Sequence, residues 1–166
     1  MAKQEKLVPL PGSERRPPTE AREAGVPDPG ERIRISVLLR PRSRLEELAS
    51  GKEMDSTLPR ERQYLTREEF DAQYGADPAD VAKVEAFAHQ HDLTVVETTL
   101  AERTVVLSGT IAALSAAFGV KLANYEYREG TFRGHIGPVM IPSDLAGVVE
   151  GVFGFDNRPQ ARPLFR

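Results

Sequence analysis

The residues of this chain whose types could do chemistry are three histidines, two pairs of adjacent glutamates and a proline-arginine terminus. His89 and His91 stand two apart near the end of a predicted helix. Helical metal sites favour i, i+4 spacing, which brings both rings to one face. Two positions along a helix diverge by about 200°, so these read as helix-end or surface histidines. His135 falls on a predicted hairpin strand without a nearby serine or carboxylate pattern, and it reads as structural. Glu46 with Glu47, and Glu68 with Glu69, fall on predicted helix surfaces and read as solvated faces. Ser108-Gly109-Thr110 is too short to hold a nucleotide; a strand-to-helix turn explains it. There is no G-x-S-x-G and no glycine-rich loop ahead of a helix. The absence of cysteine excludes disulfides, thiolate metal ligands and cysteine nucleophiles. No catalytic, cofactor-binding or metal-binding residue is assigned.

The terminus is different. Asp156 to Arg166 (DNRPQARPLFR) holds two Arg-Pro steps, and proline with the residue before it favours extended backbone. An extended, basic segment tipped by Leu164 and Phe165 has the shape a peptidase cleft binds, while composition alone favours an ordinary C-terminal tail.

The elements that would position these residues follow from periodicity. Residues 1–30 hold six of the thirteen prolines and no periodic apolar pattern, and read as a flexible, loosely docked arm. RIRISVLLR (32–40) alternates as a strand, and Pro41 stops it. Ser43–Ala49 reads as a short helix, followed by a loop over Gly51–Pro59. Thr66 with Glu69 forms a capping-box pattern for a helix ending near Gly75. Asp77-Pro78 opens a longer helix with Val81, Val84, Phe87 and Ala88 on its buried stripe. Leu93–Thr98 and Arg103–Ser108 read as antiparallel neighbouring strands. A helix follows over 111–118, with Ile111, Leu114 and Phe118 inward and Gly119 at its end. Val120–Arg128 and Thr131–Ile136 form a hairpin turned at Glu129-Gly130. Pro142–Glu150 reads as a helix and Gly151–Asp156 as the last strand. This order points to an α+β, ferredoxin-like sandwich, an antiparallel sheet with helices on one face. The domain core spans 31–157, with a linker over 158–166.

Composition agrees with a soluble globular domain: 40% hydrophobic, 28% charged, net charge -3. Mixed charge argues against a nucleic-acid partner. No run approaches the roughly 18 apolar residues of a membrane span. MAKQEKLVPLPG lacks the apolar segment a signal peptide needs, so export would require a signal beyond these residues or another route. An acylphosphatase-like enzyme shares the fold class but needs an arginine cradle with an asparagine. Asn124 and Asn157, the only asparagines, stand beside no such loop. An RNA-recognition module needs aromatic and basic residues interleaved on a central strand, which Tyr125, Tyr127 and Phe132 imitate weakly.

Several blocks, in one order, resemble a known family. They are ISVLLRPR, YLTREEFDAQYGADPADVAKVEAFAHQHDL, TVVLSGTIAALSAAFGVKLANYEY, GTFRGHIGPVMIPSDLAGVVEGVFGFDNRP and the closing ARPLFR. From about Arg32 onward the chain resembles the activation prodomain of the sedolisins, the serine-carboxyl peptidases, in their kumamolisin-like branch. The resemblance implies a propeptide of a secreted peptidase, without catalysis of its own, acting as intramolecular chaperone and inhibitor until it is cleaved off. Its partner would be the peptidase catalytic domain, with no nucleic acid, membrane or small-molecule ligand. Calcium and the Ser-Glu-Asp machinery would belong to that domain. The linker through the cleft would comprise Arg158, Pro159, Arg162, Pro163, Leu164, Phe165 and Arg166. Interface carboxylates losing charge in acid would weaken the complex. The alternative is a stand-alone binding module or separately encoded inhibitor of the same fold.

Overall fold

A computed structural model describes residues 5–43 and 66–158. In chain order the elements are β1 (Leu7–Pro9), β2 (Arg22–Gly25), β3 (Arg32–Leu39), α1 (Arg67–Tyr74), α2 (Pro78–Gln90), β4 (Thr94–Thr99), β5 (Thr104–Thr110), α3 (Ile111–Phe118), β6 (Leu122–Tyr127), β7 (Gly130–His135), β8 (Met140–Pro142), a 3-10 turn (Ser143–Leu145) and β9 (Val149–Phe153).

The alternation in β3 decides the architecture. Ile33, Ile35, Val37 and Leu39 are buried, while Arg32 and Arg34 are exposed. A strand with one apolar face is stable only when that face is covered. β3 lies inside a four-stranded antiparallel sheet of order β4-β5-β3-β9. Taken with α2 and α3, this is strand-helix-strand-strand-helix-strand with the first strand between the third and fourth, the ferredoxin-like arrangement. Val84 and Phe87 of α2 and Leu114 and Phe118 of α3 join β3 and β5 in one core. Phe118 meets Phe87 edge-on at 5.3 Å and Phe155 at 5.6 Å.

The helix starts follow their caps. Thr66 Oγ1 accepts from Glu69 N–H at 3.2 Å, and Glu69 Oε2 accepts from Thr66 N–H at 2.8 Å, a reciprocal pair that satisfies two otherwise orphan donors. Asp77 Oδ1 accepts from Ala79 N–H at 2.9 Å, with Pro78 at the first helical position. Thr110 caps α3 through Ala113 N–H, and Gly119 ends it at φ +56°. Asp80, buried in the first turn of α2, takes a two-point ion pair from Arg40 at 2.8 and 3.2 Å.

Two expectations are corrected. The described part of residues 1–30 is not a loose arm. β1 pairs with β8, β2 pairs with β6, and Arg15 bridges Gly137. Leu10 is buried, and Ser13 Oγ donates to Leu10 O at 2.6 Å while accepting from Val139 N–H at 2.8 Å. The apolar residues Val8 and Leu10 pin a segment whose prolines are tolerated in short paired edges. The predicted helix over Pro142–Glu150 is a single 3-10 turn instead, and Val149 and Glu150 open β9. Gly147 and the β-branched Val148 and Val149 disfavour a helix, and Val149 pairs with Leu39. The last strand accordingly runs Val149–Phe153 rather than 151–156. The helix and loop expected over 44–59 lie outside the described residues.

Candidate functional site

Residues directly opposite each other in antiparallel strands share a face. Ser36 stands between Val106 and Phe153, and Leu38 between Thr104 and Gly151. These residues therefore form the second face of the four-stranded sheet, opposite the helices. Among the described residues no helix covers this face. Its apolar members are Leu38, Val106 and Phe153, and Phe153 is 53% exposed. The ring of Phe153 lies over Gly151: a Cβ there would come within 2.8 Å of ring carbons. Gly151 is thus the seat that keeps an aromatic side chain flat on an open sheet.

The chain turns as it leaves β9. Gly154 has φ +114°, and a Cβ on it would stand 2.7 Å from Arg34 O, so both the backbone angle and the close approach require glycine. Phe155 then buries its ring against Phe118. Asn157 N–H donates to Arg133 O at 3.0 Å, and Arg133 N–H donates to Asn157 Oδ1 at 2.6 Å. The Arg133 guanidinium donates to Phe155 O through Nε and to Gly154 O through Nη2, both at 3.1 Å. Gly134 leaves room for the passage, since a Cβ there would sit 3.2 Å from Asp156 Oδ2.

Arg158, the one predicted linker residue that is described, folds back onto the domain. Its Nη2 pairs with Asp156 Oδ2 at 2.9 Å, its N–H donates to Asp156 Oδ1 at 2.8 Å, and its Cζ lies 4.4 Å over the Phe132 ring. This combines an ion pair with a cation–π contact. Pro159, Arg162, Pro163, Leu164, Phe165 and Arg166 lie outside the described residues.

His135 sits where arm, hairpin and tail meet. It is 5% exposed, and its Nδ1 lies 3.1 Å from Gly137 O. A carbonyl only accepts, so Nδ1 carries the proton and Nε2 is bare in the neutral ring. Burial holds its pKa below the ordinary histidine value, opposed by the Gly137 bond and by Asp156, and assisted by Arg15. Ser13, Arg15, His135, Phe153, Asp156 and Arg158 are among the residues lining a cleft of about 350 Å³. The exposed aromatic of the open face and the root of the tail therefore share one cleft.

The other candidates have structural roles. His91 caps α2, lies 4.6 Å from the Phe87 ring centroid and places Nε2 3.5 Å from Glu5 Oε2. Glu69 is spent on the helix cap. Tyr125 stacks on Phe132 at 5.3 Å and is buried with it in the small cluster of the second sheet, β2-β6-β7. Among the described residues no three His, Asp or Glu side chains converge. Sequence reasoning passed over Phe153 and Arg133. The glycines of GVFGF flanking an aromatic were the available signal for the first. Nothing local marked the second.

Comparison with known proteins agrees with this layout. The family model described as pro-kumamolisin, activation domain, matches residues 19–158. Kumamolisin of Bacillus sp. (strain MN-32) is 40% identical over 164 residues, which is 98% of this chain and 30% of that protein. Tripeptidyl-peptidase sed5 of Aspergillus fumigatus is 25% identical over 92% of this chain and 29% of that protein. Sedolisin of Pseudomonas sp. (strain 101) is 24% identical over 81% of this chain and 23% of that protein. The chain spans under a third of the length of these curated relatives. With the family model matching 140 of the 166 residues, the chain belongs to the pro-kumamolisin activation domain family.

Proposed function

We propose that this chain is the propeptide of a secreted sedolisin-type peptidase, that it docks on the catalytic domain through the open sheet face, and that it assists that domain's folding and holds it inactive. The segment from Arg158 to Arg166 occupies the substrate cleft until it is cut. The observation that carries this reading is the shared cleft of Phe153 and Arg158. A partner seated on the apolar face necessarily meets the root of the tail. Family membership supplies the identity of the partner, and a domain with no assigned catalytic group needs none for binding and occlusion. Proline at 163 limits the freedom of the tail, so less entropy is lost on docking. No described helix is long and apolar enough to cross a membrane.

The test is to titrate the chain into the mature peptidase of its own precursor and to refold that peptidase with and without the chain. The expected results are saturable inhibition and a higher refolding yield. A chain that neither inhibits nor assists, while showing a cooperative folding transition of its own, overturns the proposal.

A further inference from the structure

We propose that the β6–β7 hairpin is a clamp on the root of the tail, with Arg133 the positioning residue that fixes the direction in which the chain leaves the domain. The inference rests on the docking reading above and assigns a job to a part of the fold which that reading leaves idle.

The hairpin is an addition. It lies outside the four-stranded sheet; Leu122 reaches the main core, and the hairpin's other apolar cluster is Ala123, Tyr125 and Phe132 with partly buried neighbours. β6 pairs with β2 on one side, and the β7 side meets residues 154–158. Arg133 alone makes four hydrogen bonds there: two guanidinium bonds to the successive carbonyls of Gly154 and Phe155, and a reciprocal pair with Asn157. A planar guanidinium donating to two neighbouring carbonyls fixes the angle between them, which a flexible ammonium cannot do. This control falls just after Gly154, the position with the most backbone freedom. Phe132 then receives Arg158, and Gly134 lacks the side chain that would push Asp156 away. Two adjacent residues of β7 thus hold the root of the tail, and the third leaves it room.

The arrangement suits aim better than stability. These bonds are mostly exposed, and such bonds add little each to a folding equilibrium. They do order the residues from which a cleft-binding segment must start. A start point already ordered spares that cost at docking and raises the effective concentration of the tail at the cleft.

The experiment compares four chains against the mature peptidase of the same precursor: full length, Arg133→Ala, a chain ending at Arg158, and the combination. Arg133→Ala weakens inhibition by the full chain about tenfold and changes that of the shortened chain by less than about twofold. Arg133→Lys, which can satisfy one carbonyl, recovers part of the loss. In the covalent precursor, Arg133→Ala spreads the cut over several bonds. In hydrogen exchange on the free chain, Arg133→Ala keeps the backbone bond from Asn157 N–H to the residue 133 carbonyl but loses both guanidinium bonds, so Asn157 N–H loses part of its protection while the amides of β3 and β5 keep theirs. Equal weakening of the full and shortened chains overturns the proposal, because Arg133 would then serve the docking face. So does unchanged inhibition by the full-length variant. If none of the four chains inhibits, the docking reading has failed, and unchanged protection of Asn157 overturns the clamp separately.

Discussion

Phe153 is the residue on which the docking reading is most exposed to refutation. Its ring is 53% exposed and rests on Gly151, so about half of its burial is already achieved in the free domain. Fully burying a phenylalanine is worth about 1.5–3 kcal/mol. The half left for a partner is then worth roughly 1–1.5 kcal/mol, close to a factor of ten in the dissociation constant. Phe153→Ala should weaken inhibition by about that factor and lower the stability of the free domain by about 1 kcal/mol. Phe153→Asp should weaken inhibition far more. It loses the same area and also carries a carboxylate into an interface with no partner, at a cost of several kcal/mol. The assay is the inhibition constant of each variant against the mature peptidase at one pH, with a thermal melt of each free chain alongside. If Phe153→Asp melts cooperatively close to the parent and inhibits as tightly, the open face is not the docking surface. A loss of stability well beyond that roughly 1 kcal/mol, with inhibition falling only as the folded fraction falls, would equally refute the argument, because it would make Phe153 a core residue rather than a contact.

Two further predictions concern the free domain. The folded state holds His135 neutral by burial, so its contribution to stability is complete above the unfolded value of 6.5 and is lost as pH falls below it, until the lowered folded value is passed. Melting temperatures of the parent and of His135→Asn should run parallel above neutrality and converge or cross on acidification; curves parallel throughout would show that His135 does not titrate against folding. The Arg40–Asp80 pair is asymmetric, with side-chain exposures of 49% and 6%. Arg40→Ala strands a buried carboxylate with, among the described residues, only Lys83 at 4.0 Å and should cost about 3 kcal/mol in urea unfolding; Asp80→Ala leaves the arginine half in water and should cost about 1–2 kcal/mol. The reverse ranking would refute the reasoning.

What the sequence made legible was whatever local rules govern. The alternation of β3, the caps at Thr66 and Asp77 and the apolar stripe of α2 are written in neighbouring residues, and each appears within a residue or two of its expected place. The helix expected from Pro142 failed because a good start, Pro-Ser-Asp-Leu, is followed by a segment that the sheet claims. Val149 serves as the partner of Leu39, a pairing across more than a hundred positions that no window of sequence displays. The arm was misread for a related reason, since strands of three and four residues carry too few positions for a period to show. The open face was invisible because alternation tells which residues of a strand share a side, but not which side receives the helices. The clamp was hidden more deeply still. Arg133 binds backbone atoms and an asparagine 21–24 residues later, and backbone acceptors carry no residue type.

One strand joins these features. β9 gives Val149 and Val152 to the core, Phe153 to the open face and, one residue on, the turn at Gly154 from which the clamped tail begins. Among the described residues it is an edge strand, paired only with β3. The face and the tail therefore cannot be built in different orientations: the register of β9 on β3 sets both. Their strengths nevertheless differ. Phe155 is anchored in the core, whereas the bonds of Asp156, Asn157 and Arg158 are exposed or only partly buried. Local opening at such bonds costs less than global unfolding. On the proposed reading, residues 156–158 can open while the sheet keeps its face intact, so release of the clamp does not require unfolding of the domain.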